Sequence, residues 1–195
     1  ILIFLTTTGI QTDNFNSLIN EKVKEIDPKI KLKLNQVNFK LNPSNFEFEI
    51  FTLDPHLLVN EKKVDLEIIK SDLNLLDYFN NKNPISEISI ISKESNIDQF
   101  TDFINEYDFN LARNLIFKQI KKGKVKIISN INFNENNPRN IKYNINGYVK
   151  DAEIKLLNQS KIENIKFNFF VDQDFINLKK IELAFDKIFI TFSFL

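Results

Sequence analysis

The segment Val125-Lys-Ile-Ile-Ser-Asn-Ile-Asn-Phe133 alternates between apolar and polar side chains with a period of two. That period is typical of a β-strand with one buried face. The runs Ile141–Leu156, Ile162–Val171 and Phe175–Phe194 repeat the alternation, and Gly147 interrupts the first of them. Because the links between these runs are of hairpin length, the second half of the chain is predicted to form an antiparallel meander.

The first half of the chain carries the same alternation, and two stretches of helical periodicity interrupt it. Apolar residues recur three or four positions apart over residues 12–27 and again over 97–121. Strands are predicted over 30–92 and over 124–195. The sequence therefore predicts a mainly β fold with two helical segments (α+β): an antiparallel sheet, an N-terminal helix and a mid-chain helical insert that ends at Gly123.

The composition excludes several functional classes. Lys+Arg and Asp+Glu number 26 each, and this zero net charge argues against a basic nucleic-acid-binding surface. The absence of cysteine excludes disulfides, Cys-ligated zinc and thiol catalysis, and a single histidine excludes a His-rich metal site. Three glycines leave almost no material for phosphate-binding loops. We therefore expect no enzymatic activity, no cofactor, no metal and no nucleic-acid partner.

Three polar motifs could carry chemistry, and each has a simpler interpretation. His56 could act as a general base but has no recognisable nucleophile, so it is interpreted as a solvated turn histidine. Asp172-Gln-Asp174 resembles part of a calcium loop without the required glycine and glutamate, and is interpreted as a hairpin turn. Lys121-Lys122-Gly123-Lys124 could attract lipid headgroups, but a charge cluster at a helix end is the favoured interpretation.

The first ten residues are apolar and uncharged but reach only about half of the roughly 20 residues that a membrane-spanning helix needs. They could be the end of a truncated transmembrane helix, the remnant of a signal peptide or a first β-strand. No basic region precedes them and no small-residue cleavage pattern follows. We therefore interpret residues 1–10 as the end of a truncated transmembrane anchor.

A sheet with one apolar face must cover that face, and the alternation allows two solutions. A second sheet or helices could pack on it and form an ordinary sealed core. Alternatively, a curved sheet could keep a concave apolar face open for an apolar ligand such as acyl chains. The pattern alone favours the sealed core.

Several segments resemble the N-terminal part of AsmA-like proteins. The apolar start is followed by the amphipathic stretch Thr12-Asp-Asn-Phe-Asn-Ser-Leu-Ile-Asn20 and by a strand series that begins with Ile30-Lys-Leu-Lys-Leu34. Gly123-Lys-Val-Lys-Ile-Ile-Ser-Asn-Ile-Asn-Phe133 is similar to the middle region of these proteins. So are Ile145-Asn-Gly-Tyr-Val-Lys-Asp-Ala-Glu-Ile154 and Ile162-Glu-Asn-Ile-Lys-Phe-Asn-Phe169. The resemblance rests on patterning and on the order of the elements.

This resemblance implies a repeating-β-groove, bridge-like lipid-transfer protein of the bacterial envelope. Residues 1–10 would anchor the chain in the inner membrane, and residues 11–195 would form a periplasmic domain with a curved sheet and an apolar concave face. The implied partners are phospholipids, carried between the inner and outer membranes, and outer-membrane assembly proteins. The predicted insert at 97–121 departs from this plan, because a helix there could plug the groove.

The groove would be lined by inward-facing residues of successive strands. The alternative is a closed β-sandwich, a structural or interaction module for outer-membrane assembly, in which the same residues form a sealed core. The candidate lipid-binding residues are Phe39, Phe48, Ile50, Leu66, Ile68, Ile88, Ile90, Ile127, Ile131, Tyr143, Ile145, Phe167, Phe169, Leu183 and Phe185.

Overall fold

A computed structural model describes most of the chain. The described residues are 2–14, 16–17, 19–20, 23, 28–45, 47–59, 62–80, 82, 84–100, 120–133, 141–155, 161–185 and 188–192. Much of the predicted helix at 12–27 and most of the predicted insert, residues 101–119, lie outside these ranges.

The described residues include two short helices and thirteen strands, and the strands vary from 2 to 15 residues in length. The helices are α1 (Leu2–Thr7) and α2 (Leu75–Phe79). The strands are β1 (Ile10–Thr12), β2 (Ile30–Lys33), β3 (Val37–Asn42), β4 (Glu47–Leu53), β5 (His56–Val59), β6 (Lys62–Asn74), β7 (Ile85–Ser92), β8 (Ser95–Asn96), β9 (Ile120–Phe133), β10 (Ile141–Lys155), β11 (Lys161–Val171), β12 (Ile176–Phe185) and β13 (Ile188–Phe192).

Among the described residues, thirteen strands form one open, curved antiparallel sheet. Its main path is β1-β3-β4-β6-β7-β9-β10-β11-β12-β13, with β2 and β5 attached to β6 and with β8 attached to β9. Neighbours along this path are mostly consecutive in the chain, as expected for hairpin-linked strands. The prediction of a mainly β fold built on a curved antiparallel sheet is therefore confirmed.

Three neighbouring strands carry irregularities at which the sheet bends. The register shifts between Val149 and Ala152 in β10, and two further shifts interrupt the pairing of β11 with β12. Asp151, Asn164 and Lys180 adopt positive φ angles near these shifts. Such bulges add local twist and bend the strand that carries them, which is how a sheet acquires curvature.

The structure corrects the predicted end of the helical insert. Ile120 to Gly123 are the first residues of β9, where Ile120 pairs with Ile154 and Lys122 pairs with Glu153. Gly123 therefore lies inside a strand and does not terminate a helix; its φ of 129° is a conformation that favours glycine. The adjacent lysines suggested a helix end, but the long-range ladder to β10 decides the conformation.

The N-terminal segment also differs from its prediction in detail. Thr12 is the last residue of β1, so the helix predicted from residue 12 begins later; the described residues of that stretch, from Asn16 to Val23, are helical. The Asn20 side chain accepts a hydrogen bond from the Leu32 backbone at 3.0 Å, which ties this helical stretch to β2. In the described part of the chain, no helix has the length and apolar character needed to span a membrane.

The buried core is concentrated at one end of the sheet. Ile97 and Phe100, in the helical turn that follows β8, are both almost completely buried. They belong to one cluster with strand residues of the apolar face. The other buried members are Val64, Leu66, Ile120, Val125, Val149, Ala152 and Ile165.

Candidate functional site

Residue pairing across the strands defines one continuous apolar face. Directly opposed residues of neighbouring antiparallel strands point to the same side of a sheet. Following these partners from β3 to β10 therefore traces a row on one face. The row consists of Phe39, Ile50, Ser71, Ile88, Ile131 and Tyr143.

A second row continues the same face to the other side of the sheet. Ser129 of β9 pairs with Ile145, Ile145 pairs with Val171 of β11, and Val171 pairs with Ile176 of β12. Every member of this row except Ser129 is apolar. We call the side of the sheet that carries these two rows the apolar face and the opposite side the polar face.

The apolar face contains all the predicted lining residues except Ile68. The register of β6 against β7 shifts between Leu66 and Ile68, so that Ile68 pairs with Ile91 and points to the polar face. Ile69 takes its place on the apolar face, opposite Ile90. Ile68 is therefore wrong as a lining residue, and the reason is a bulge that reverses the alternation.

The apolar face is sealed at one end and is half-exposed at most of its other positions, although Leu41 near the opposite end is buried. Leu66 belongs to the buried cluster, and its side chain is only 3% exposed. By contrast, Phe39, Ile50, Ile88 and Ile131 are half-buried, although they lie on inner strands of the sheet. Residues at such positions in a sandwich of two packed sheets would be fully covered. The half-exposure is the geometry of an open trough.

The sealed end is formed by the start of the predicted insert. Ile97 and Phe100 pack over the apolar face among Val64, Val125 and Val149. This turn of the insert therefore covers the apolar face at that end. The insert's remaining residues, 101–119, lie outside the described ranges.

Gly147 marks a close approach on this face, because it pairs with Phe169 of β11. A Cβ atom on Gly147 would lie 2.3 Å from Cζ of Phe169 and 2.5 Å from the carbonyl oxygen of Lys126. The backbone oxygen cannot move without a shift of β9.

We expect Gly147→Ala to lower the free energy of unfolding by about 1–3 kcal/mol in urea titrations. Ser129→Ala, on the same face, is the control, and equal midpoints would contradict this packing.

The polar face carries a charge cluster around Glu94. Its carboxylate lies 2.6 Å from Nζ of Lys150 and accepts a 2.8 Å hydrogen bond from the hydroxyl of Tyr148. The hydrogen bonds from Lys150 and Tyr148 hold the pKa of Glu94 below its ordinary value. The same interactions raise the pKa of Lys150 and the pKa of Tyr148. The cluster fixes the segment that leads into the helical turn at Ile97.

This cluster predicts a pH dependence of stability. Because the pKa of Glu94 is lowered by folding, its contribution is present above the ordinary glutamate pKa of 4.5 and is lost as the pH falls through the folded value. We therefore expect the melting temperature of Glu94→Gln to fall less steeply than that of wild type as the pH is lowered into the acid range. Glu153, whose pKa is lowered by Lys122, adds to the same slope, so the flattening is partial. An unchanged acid limb would contradict the role of Glu94.

A shallow depression of about 580 Å³ lies mainly on the polar face, near the turn between β11 and β12. The rings of Phe170 and Phe175 meet there with their centroids 5.6 Å apart. The amides of Asn146 and Asn168 line the remainder with Tyr148. Its lining has no paired acid and base that could drive a reaction.

His56 is not the solvated turn residue that was expected. It opens β5 and pairs with Asp65 of β6, and its Nδ1 lies 2.8 Å from Oδ1 of that carboxylate. Lys63 contacts the same oxygen at 2.9 Å and is the main cause of the lowered pKa of Asp65. The group is a partly exposed ion cluster on strand residues.

The Asp172–Asp174 segment is a hairpin turn, as predicted, because Oδ1 of Asp172 accepts hydrogen bonds from the Asp174 and Phe175 backbone amides at 2.9 and 3.0 Å. Lys122 and Lys124 lie in β9, so the lysine cluster is not a helix end. Within the described ranges, no group of three or more histidine, aspartate or glutamate side chains could hold a metal ion.

Comparison of the chain with protein-family models, with curated proteins and with solved structures gives no match. The resemblance to AsmA-like proteins therefore stays a prediction from the sequence. The geometry of the apolar face is the basis on which a function can be argued.

Proposed function

We propose that this chain binds lipid along its apolar face and belongs to a system that transfers phospholipid between membranes. One observation carries the proposal: an apolar face that is continuous across the strands from β3 to β12 is left half-exposed along most of its length. A soluble surface rarely leaves so large an apolar area uncovered, and such areas serve as binding sites for apolar partners.

Acyl chains suit this surface because it is long, apolar and almost free of hydrogen-bonding groups. Each methylene removed from water contributes about 0.8 kcal/mol, so a single acyl chain laid along the trough gains several kcal/mol without any specific polar contact. Ser71, Ser129 and the hydroxyl of Tyr143 are the polar groups in the two rows traced above. The headgroup would stay in solvent at the edge of the trough.

The absence of a specific polar site also supports movement along the face. A ligand held by many equivalent apolar contacts can slide, because each new position resembles the last. The AsmA-like resemblance extends this to a chain anchored in the inner membrane, with its sheet in the periplasm and phospholipid carried toward the outer membrane. Outer-membrane assembly proteins are the proposed partners at the far end.

A fluorescent fatty-acid analogue tests the binding step directly. We expect its emission to rise on addition of the protein and to fall again when phospholipid is added as competitor. Lysozyme at equal concentration serves as the control for non-specific adsorption. A probe that shows no saturable binding would contradict the proposal.

A second candidate function has one observation in its favour. The cluster around Ile97 and Phe100 is a sealed apolar core of the kind that a structural or interaction module requires. In that case the apolar face would be covered by protein side chains, and the partners would be proteins. Failure of the fatty-acid probe to bind, together with a cooperative unfolding transition, would favour this module.

A further inference from the structure

Because neighbouring strands are antiparallel, the links between them lie at one or the other of the two ends of the sheet. The links from β3 to β4, from β6 to β7, from β9 to β10 and from β11 to β12 lie at one end. We call this the open end. The links after β4, β7, β10 and β12 lie at the opposite end, which Ile97 and Phe100 seal.

Large apolar side chains project into solvent at the open end from two separate links. On α2, Phe79 is 73% exposed, and Leu76, three residues earlier on the same helix face, is also exposed. In the turn between β11 and β12, Phe175 is 52% exposed, and Ile176 beside it is exposed as well. The two groups lie on either side of β9 and β10. We call these four residues the rim.

The rim meets the apolar face at Ile176 and through α2, whereas Phe175 packs on Phe170 at the edge of the polar face. Ile176 pairs with Val171, and Val171 pairs with Ile145 in the middle of the trough. On the other side, α2 follows directly from β6, whose Leu73 pairs with Phe48 on the apolar face. An acyl chain leaving the trough at this end would therefore pass between apolar groups without crossing a charged barrier formed by these residues.

The N-terminal segment leads to the same end. In β1, Ile10 pairs with Phe39 and Thr12 pairs with Val37, so the chain before β1 approaches from the open end. The preceding helix α1 has no acidic residue in its first turn and no basic residue in its last, and it contacts β3. An uncharged apolar helix and the exposed rim thus lie at one end of the molecule.

We propose that the open end docks on a lipid bilayer, with the rim residues Leu76, Phe79, Phe175 and Ile176 inserted among the acyl chains. This inference rests on the proposed lipid-binding function and adds its partner surface and polarity. Exposing these apolar side chains to water costs free energy, and this free energy is recovered when they are inserted into the hydrocarbon region of a bilayer. Lipid would enter the trough from the open end, opposite the end that Ile97 and Phe100 cover.

Flotation of the full chain with vesicles of phosphatidylcholine alone tests the docking. We expect the wild-type chain to float with the vesicles at low and high salt, because the contact is apolar. Phe79→Ser and Phe175→Ser are each expected to lower the partition coefficient by about tenfold, the equivalent of one partly inserted phenyl ring. The matched control is Phe189→Ser, because Phe189 is 80% exposed on β13, away from the rim.

Each result decides the question. Selective loss of flotation in the two rim variants, with Phe189→Ser unchanged, supports docking through the rim. Equal flotation of all three variants overturns it, as does binding that needs added phosphatidylglycerol and disappears in salt. A chain that binds the fatty-acid probe but does not float retains the lipid-binding function and loses this inference. A chain that floats through its rim but binds no probe retains the docking surface and loses the lipid-binding function.

Discussion

Ile145→Asp is expected to reduce the phospholipid bound to the purified chain by at least tenfold. Ile145 lies on the apolar face between Ser129 and Val171, in the middle of the trough. A carboxylate there would have to lose its hydration beneath an acyl chain, and that desolvation costs several kcal/mol unless the site floods with water. Because Ile145 is only half-buried in the free protein, the variant can hydrate the new charge and still fold.

The adjacent residue provides a matched control. Asn144 lies on the opposite face of the same strand, where its Oδ1 accepts hydrogen bonds from the Asn130 and Asn146 side chains at 3.4 and 3.3 Å. Asn144→Asp introduces the same carboxylate one position away and keeps those acceptor contacts. Lipid extraction and mass spectrometry of both variants, with circular dichroism to verify folding, should show loss in the first alone. Equal lipid content in the two would place the binding surface elsewhere.

Phe100→Ala is expected to lower the free energy of unfolding by about 3–5 kcal/mol, the usual cost of removing a buried phenyl ring. Phe100 is a nearly inaccessible member of the cluster that seals one end of the apolar face. The loss would leave a cavity above Leu66 and Val125 because the strands beneath cannot close it. The measurement is the urea midpoint and slope of the variant against wild type.

A phenylalanine-to-alanine substitution at an exposed position shows how much of the stability loss is due to burial and how much to the residue type. Phe189→Ala removes the same ring from a side chain that is mostly in solvent, and surface changes of this kind usually stay within about 0.5 kcal/mol. Similar losses for Phe100→Ala and Phe189→Ala would show that the turn at Ile97 is not the seal described above.

The period-two alternation predicted the apolar face well, because the face of a strand residue follows from its parity as long as the ladder is regular. Phe39, Ile88 and Ile145 were placed correctly on that basis alone. The prediction that Ile68 lies on the apolar face was wrong because a bulge in β6 changes the parity of the residues beyond it. Nothing in the local residue types marks that bulge, since it depends on pairing with β7.

The predicted end of the helical insert at Gly123 was wrong for a related reason. Lysines followed by Gly123 are a normal helix terminus, and local propensity cannot reveal the long-range ladder that draws Ile120 into β9 opposite Ile154. The choice between a sealed core and an open trough also lay beyond the sequence. Both solutions require the same alternating residues, and they differ in what covers Ile50 and Ile131, which is a tertiary property.

The most direct measurement is lipid extraction and mass spectrometry of the chain, exported to the bacterial periplasm and purified without detergent. An open apolar trough predicts near-stoichiometric phospholipid in a folded, monomeric sample. A folded, monomeric protein free of lipid, which also takes up none when incubated with phospholipid vesicles, would contradict the lipid-binding function and leave the face as the core of a closed module.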